Sequence, residues 1–226
     1  MTFSLVGRCA RTRMVGVAIT TSSIAVGSRC PWVRAGVGAV ATQNVTLPSL
    51  GTDVLDRIGR GETPEAAVRE VIAREENRAY RQIVAIDCDG RTAHFSGERT
   101  LGTNAVAIGR DVIAAGNLLA NDGVPRAMVE AFERAGEDAH LAERLVTGLS
   151  AGLDRGGEEG PVHSAALLVA SDLSWPLVDL RVDWDEEDPV ARLRELWRAY
   201  EPEMMDYVTR ALNPSAAPSY GVPGDE

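Results

Sequence analysis

No lysine occurs among the 226 residues, so all 23 basic side chains are arginines. Schiff-base enzymes, pyridoxal-phosphate enzymes and Walker-type nucleotide hydrolases each depend on a lysine, and all three are excluded. GC-rich codon usage is cause enough for the lack, and the exclusion holds whatever the cause. Cysteine is also scarce: Cys9, Cys30 and Cys88 stand far apart with no C-x-x-C pair, which gives neither a disulfide framework nor a zinc site. Buried reduced thiols are the expectation. The three histidines, His94, His140 and His163, form no H-E-x-x-H or H-x-E pattern. A histidine triad is defined by geometry rather than by order, so one stays open in space, but no spacing supports it.

Two further absences concern partners. Arginines are scattered rather than clustered and the formal net charge is −10, which disfavours nucleic acid and anionic membranes. No run approaches the roughly eighteen apolar residues of a membrane span, and the first residues lack a basic segment followed by an apolar one. A cytoplasmic protein is expected. No cofactor or metal is called for. Asp87-Cys88-Asp89-Gly90 lacks the third acidic ligand and the distal Glu of a calcium loop, and reads as a turn. The acidic run Asp183, Asp185, Glu186, Glu187 and Asp188 can attract a divalent ion, but a solvated helix N-terminus is the preferred reading.

What is present is a series of short apolar runs. Phe3 to Cys9 and Met14 to Thr20, joined by Ala10-Arg11-Thr12-Arg13, predict a hairpin whose strands are apolar on both faces. Ile24 to Trp32 precedes a strand of small residues, Gly36 to Gln43, which lets a backbone or ligand approach closely. Helices are predicted over Ser49–Gly59 and Pro64–Glu76, the second with Thr63 as N-cap. Gln82–Asp87 and Thr92–Ser96 flank the hairpin signal Asp89-Gly90, and Val112–Ala115 is a strand ending at Gly116-Asn117. Helices follow over Pro125–Ala135 and Asp138–Ser150, then a loop at Gly156-Gly157-Glu158-Glu159-Gly160-Pro161. Strands over Ser164–Ala170 and Val178–Val182 precede a helix from Asp188, broken at Pro202 and resumed near Glu203 to Leu212. The amphipathic face from Val190 to Tyr200 serves either the core or a homo-oligomer.

Hairpins and helix pairs, rather than alternating β-α-β units, imply an α+β fold of antiparallel sheets with helices packed outside. Two sheets between two helical layers would bury the strands on both faces. The chain is long enough for one large domain, residues 1–212, and the Pro-, Gly- and Ser-rich tail 213–226 is expected to be disordered.

Thr2 behind Met1 is the position with the most chemistry. If Met1 is removed, a β-hydroxyl stands beside a free α-amine whose reference pKa of about 7.7–8.0 lets it accept the hydroxyl proton. From the residues alone, a plain strand residue beneath a retained methionine is the preferred reading.

The resemblance to a family turns that preference. Thr2-Phe3-Ser4-Leu5-Val6, Gly16-Val17-Ala18, Ala25-Val26-Gly27-Ser28, Pro31-Trp32, Gly36 to Gln43, Gly116-Asn117, Ser164 to Val169 and Val178 to Asp183 together closely resemble the DUF1028 family over roughly residues 2 to 200. The resemblance implies an Ntn-hydrolase-like, four-layer α/β/β/α sandwich of two mainly antiparallel sheets. It also implies an amidohydrolase-type site in which the N-terminal residue of the first strand attacks an amide carbonyl. Ser22, Ala115 and His163 depart from the family pattern, and these departures bear on pocket polarity and substrate rather than on the fold.

Under that reading Thr2 is the nucleophile for a C–N bond, amide or carbamoyl-like, of a small molecule. Asn117 is the first candidate oxyanion donor, with Thr42 and Gln43 brought towards the terminus by the small-residue strand. Arg29 is the nearest basic group that could hold the amine neutral, and it could act only electrostatically, because guanidinium does not exchange its proton at working pH. Each has a plainer reading: a turn at Asn117, strand-end hydrogen bonds at Thr42 and Gln43, loop bracing at Arg29. A self-compartmentalising protease is disfavoured. The alternatives are a non-catalytic ligand-binding or assembly protein on the same scaffold, and a hydrolase with an internal nucleophile such as Cys30 or Ser164.

Overall fold

The computed structural model describes residues 2–223, so Met1 and 224–226 lie outside the described residues. The chain opens with β1 (Thr2–Arg8) and β2 (Val15–Thr21), the predicted hairpin, then β3 (Pro31–Arg34) and β4 (Gly38–Asn44). Helices α1 (Ser49–Gly59) and α2 (Pro64–Ala73) follow, and β5 (Arg81–Asp87) and β6 (Thr92–Ser96) form the second predicted hairpin. Strands β7 (Ala105–Gly109) and β8 (Val112–Asn117) lead to α3 (Val124–Arg134) and α4 (Leu141–Asp154). The chain closes with β9 (Ser164–Ala170), β10 (Val178–Val182), α5 (Pro189–Tyr200) and α6 (Met204–Leu212).

Local chemistry accounts for the boundaries. Thr63 accepts the Ala66 amide at 3.2 Å with Pro64 in the first helical position, which starts α2. Asp188 caps α5 by accepting from Val190 N at 3.0 Å and Ala191 N at 2.8 Å, while Asp185 accepts from Glu187 N and Asp188 N at 2.8 Å each. The acidic run therefore builds a helix N-terminus. Strand β7 is an unpredicted element: a half-buried edge strand of small residues whose Ile108 is exposed. Residues 213–223, expected to be unstructured, run through a single 3-10 turn at Pro214–Ala216 and back over α6, where Arg210 donates to the Pro218 carbonyl and lies 3.9 Å from the Tyr220 ring centroid.

Two antiparallel sheets result. The larger has the order β10-β9-β2-β1-β8-β7 and the smaller the order β3-β4-β5-β6. Three apolar clusters separate four layers. One, with Phe3, Leu5, Phe132, Leu145 and Trp197, lies between the larger sheet and α3, α4 and α5. A second, with Val6, Val17, Ile19, Ala41, Val84, Ile86 and Ile113, lies between the sheets. The third, with Val40, Leu50, Val54, Val68 and Ile83, joins the smaller sheet to α1 and α2. This is the expected α/β/β/α sandwich, and central strands such as β1, β2 and β9 are buried on both faces because each face has a partner layer.

β1 is central in the larger sheet, between β2 and β8. Its side chains alternate, so Leu5 faces the helices and Val6 faces the other sheet. By the same alternation Thr2 and Ser4 face the space between the sheets. No helix among the described residues is long and apolar enough to cross a membrane.

Candidate functional site

At one end of the inter-sheet space the apolar core gives way to two polar rows. In the larger sheet the register places Ser164 opposite Thr21, Thr21 opposite Thr2, and Thr2 opposite Asn117. In the smaller sheet Gln43 lies opposite Gln82 and Gln82 opposite Ser96. Apart from Ser4, which joins the polar rows, the neighbours in these strands that face the same way, among them Val6, Ile19, Ala41, Val84 and Ala115, are apolar. The switch from apolar to polar is therefore confined to the ends of the strands, where Thr2 sits.

Thr2 is buried, and its Oγ1 is 3.1 Å from Thr21 Oγ1. Behind it runs a chain of amides. Ser4 Oγ donates to Gln43 Oε1 at 2.6 Å, and Gln43 Nε2 donates to Gln82 Oε1 at 2.8 Å. Asn117 Nδ2 donates to the same Gln82 oxygen at 3.0 Å, while Gln82 Nε2 donates to Ser96 Oγ at 3.1 Å and the Gly116 carbonyl at 3.2 Å. These bonds fix the amide orientations: turning Asn117 over would set its oxygen against Gln82 Oε1. Asn117 therefore commits one N–H to the network and retains a second, and its buried Oδ1 has no partner among the described residues.

Glu158 is the residue that sequence reasoning passed over. It is 5 % exposed, and neither carboxyl oxygen has a hydrogen-bond partner of ordinary geometry among the described residues. The loop after α4 carries it across the end of the larger sheet. Gly156 and Gly157 take positive φ values of 122° and 58°, a backbone path that disfavours side chains, and Glu158 then forms an isolated bridge with Leu119, two residues past Asn117. Ala120 N donates to the Gly157 carbonyl at 3.0 Å and Glu159 N to the Leu118 carbonyl at 3.0 Å, fastening the loop on both sides. Burial pushes the carboxyl up to about 8, against a weaker downward pull from the positive chain terminus and from Ser22, whose hydroxyl and backbone N–H lie close enough to favour the anion without reaching ordinary hydrogen-bond geometry. Ser22 follows Thr21 and Leu119 lies just beyond Asn117, so Glu158 spans the two strands that flank Thr2. Nothing local to Glu158 in the sequence marks it; a glutamate in a glycine-rich loop resembles a solvated one.

The other expected residues divide. Asn117 and Gln43 share the polar end with Thr2. Thr42 is buried on the opposite face of β4, on the side of Val40 and the α1/α2 layer, where its Oγ1 accepts from Thr46 Oγ1 at 2.8 Å. Arg29 folds back on its own turn, donating to the Ala25 carbonyl at 2.9 Å, and thus takes the loop-bracing place. Cys30 is buried and burial pushes its thiol up to about 11, which removes the thiolate a nucleophile needs. Ser164 Oγ donates to the Ser23 carbonyl at 2.6 Å and accepts from Val26 N at 3.1 Å, so its hydroxyl is spent on the loop after β2. His163 stacks on Trp184 with ring centroids 4.4 Å apart, and its backbone N–H donates to the Thr21 carbonyl at 2.8 Å.

A family model described as "Family of unknown function (DUF1028)" matches residues 2–193. Among solved structures, protein SPO2555 from Silicibacter pomeroyi, described with the same family model, is 32% identical, covers 88% of each chain and superposes with a TM-score of 0.81. Anbu (ancestral beta-subunit) from Yersinia bercovieri is 12% identical over 90% of this chain and 96% of its own, with a TM-score of 0.41. Anbu from Hyphomicrobium sp. strain MC1 is 13% identical over 97% of this chain and 100% of its own, with a TM-score of 0.42. No curated protein matches the chain significantly.

Proposed function

The chain belongs to the DUF1028 family, and we propose that it is an N-terminal-nucleophile amidohydrolase that cleaves a C–N bond, amide or carbamoyl-like, in a small molecule, with Thr2 as nucleophile once Met1 is removed. The observation that carries this reading is the position of Thr2. It begins the central strand of the larger sheet, faces the polar end of the inter-sheet space, and keeps its hydroxyl 3.1 Å from that of Thr21. A hydroxyl at that place needs a base, and the described residues around it offer no histidine. The α-amine of the same residue supplies one.

In the reaction the α-amine takes the Thr2 hydroxyl proton as Oγ1 bonds to the carbonyl carbon. The tetrahedral intermediate then collapses, the C–N bond breaks, and the leaving nitrogen takes the proton from the α-ammonium. Water, deprotonated by the same amine, hydrolyses the resulting ester and frees Thr2. The second N–H of Asn117 Nδ2 is the candidate oxyanion donor, and losing such a donor typically costs about 3–4 kcal/mol of transition-state stabilisation. The Gln82–Gln43–Ser4 chain holds that amide in place without adding charge. Turnover of a panel of small amides and ureides by the wild type and by Thr2→Ala tests the proposal. Loss of turnover in the variant supports it; unchanged turnover moves the nucleophile elsewhere. A wild type inactive across the whole panel would favour the non-catalytic binding reading.

A further inference from the structure

We infer that Glu158 positions the α-amine of the processed chain, its carboxylate and the unpartnered Asn117 Oδ1 accepting the amine's N–H bonds so that the nitrogen lone pair faces the Thr2 hydroxyl. The inference rests on the proposed processing of Met1. Two buried groups with acceptor atoms lacking donors among the described residues flank the start of β1, namely the Glu158 carboxyl, through both oxygens, and the Asn117 amide, through Oδ1. Buried polar groups are rarely left unpaired in folded proteins, and two such groups at one place call for a donor between them. Asn117 lies opposite Thr2 in the register, and Glu158 reaches over from the bridge at Leu119 to the neighbourhood of Ser22. A free amine at Thr2, the residue opposite Asn117 at the start of β1, has the hydrogens to meet both acceptors.

The arrangement also answers a chemical need. When the amine takes the hydroxyl proton it becomes an ammonium in a site with little water, and a carboxylate beside it stabilises that charge, as the buried aspartate of a serine-protease triad does for its imidazolium. Burial and the terminus act on Glu158 in opposite senses, and Ser22 opposes burial as well. In the processed chain, with the amine moved to Thr2, the carboxyl and the amine would on this assignment titrate as a pair rather than singly. Glu158 is a positioning residue: it acts on the amine, and the amine acts on the substrate.

The absence of lysine makes the test unusually direct, because the α-amine is then the sole primary amine in the chain. Carbamylation by cyanate, followed by intact mass and by mapping of the N-terminal peptide across a pH series, reads the titration of that amine without any substrate. In the processed wild type the midpoint should lie above the ordinary α-amine range of about 7.7–8.0. Glu158→Gln should lower it by about one unit or more, since an adjacent carboxylate holds a cation protonated by that order. Glu159→Gln, one residue along and exposed, should leave it at the wild-type value. Coincident midpoints in wild type and Glu158→Gln, or an equal shift in Glu159→Gln, would overturn the assignment. If Thr2→Ala is inactive while Glu158→Gln leaves the midpoint unmoved, the assignment of Glu158 falls and the hydrolase reading stands. If Thr2→Ala keeps full turnover while Glu158→Gln shifts the midpoint, the hydrolase reading falls and the amine contact stands.

Discussion

The hydroxyls of Thr2 and Thr21 face each other at 3.1 Å across the central strand pair of the larger sheet. Both belong to strand ends, and both are buried where the inter-sheet core turns polar. Thr21 thus fixes the rotamer of the hydroxyl that would attack, since a threonine has few χ1 states and the pair selects one.

That contact gives the first prediction. Thr21→Val keeps shape and β-branching but deletes the partner hydroxyl, leaving Thr2 Oγ1 less well oriented. Turnover of an active small amide should fall by about 10- to 100-fold, the range of a lost orienting hydrogen bond of about 1.5–3 kcal/mol, while the far-ultraviolet circular dichroism stays native. Full turnover in a folded Thr21→Val chain would show that the contact does not orient the nucleophile.

Asn117 is held by Gln82, and Gln82 Oε1 accepts from both Asn117 and Gln43. Asn117→Asp replaces a donor with a carboxylate facing that acceptor. Urea unfolding at neutral pH should show a loss of about 2–4 kcal/mol, larger than for Asn117→Ala, because an unpaired buried charge costs more than a missing bond. Equal stability of Asn117→Asp and wild type would mean the amide chain is not oriented as described.

Glu158 makes stability depend on pH. Its folded carboxyl is raised to about 8 from an ordinary 4.5, so between those values the folded state holds a proton that the unfolded state has lost. The unfolded state then binds fewer protons, and stability falls as pH rises through that window. Glu158→Gln removes the penalty. Relative to a wild-type chain that keeps Met1, where no Thr2 amine pairs with the carboxyl, the variant should gain roughly 1–3 kcal/mol on going from pH 5 to pH 8 in thermal or urea unfolding, and little below 4.5. A gain that is flat across this range in the chain that keeps Met1 would contradict the burial of the carboxyl.

Thr42 is the counter-case. It lies on the helix side of β4 and pairs with Thr46. Thr42→Val should leave turnover within about twofold of wild type while costing about 1 kcal/mol or less in stability, as unfolding and a rate measurement on the same preparation will show. A collapse of turnover with the fold intact would place Thr42 in the site after all.

The fold was legible because its strands carry their own signal. Apolar runs such as Phe3 to Cys9, covered on both faces, have no solvent side to obscure them, and Asp89-Gly90 marks its hairpin. Strand β7 was not legible: it is a short edge strand with an exposed Ile108 and small residues that give no alternation. At the site, Thr2 and Asn117 could be read from position and from the resemblance. Thr42 and Gln43 cannot share a face, since successive strand residues face opposite sides; the alternation of Ala39, Val40 and Ala41 between two apolar clusters puts Gln43 on the face of Thr2 and Thr42 on the other. Glu158 was hidden because its place comes from a bridge to Leu119, distant in sequence, and from the two glycine turns before it.

The most direct test of the account is covalent trapping. Wild-type protein treated with a small β-lactone, a carbonyl electrophile that an activated hydroxyl opens to an ester, should yield an N-terminal peptide that begins at Thr2 and carries the acyl group on its side chain, with no adduct in Thr2→Ala. A peptide that retains Met1, or an adduct on another residue that persists in Thr2→Ala, would contradict Thr2 as the nucleophile.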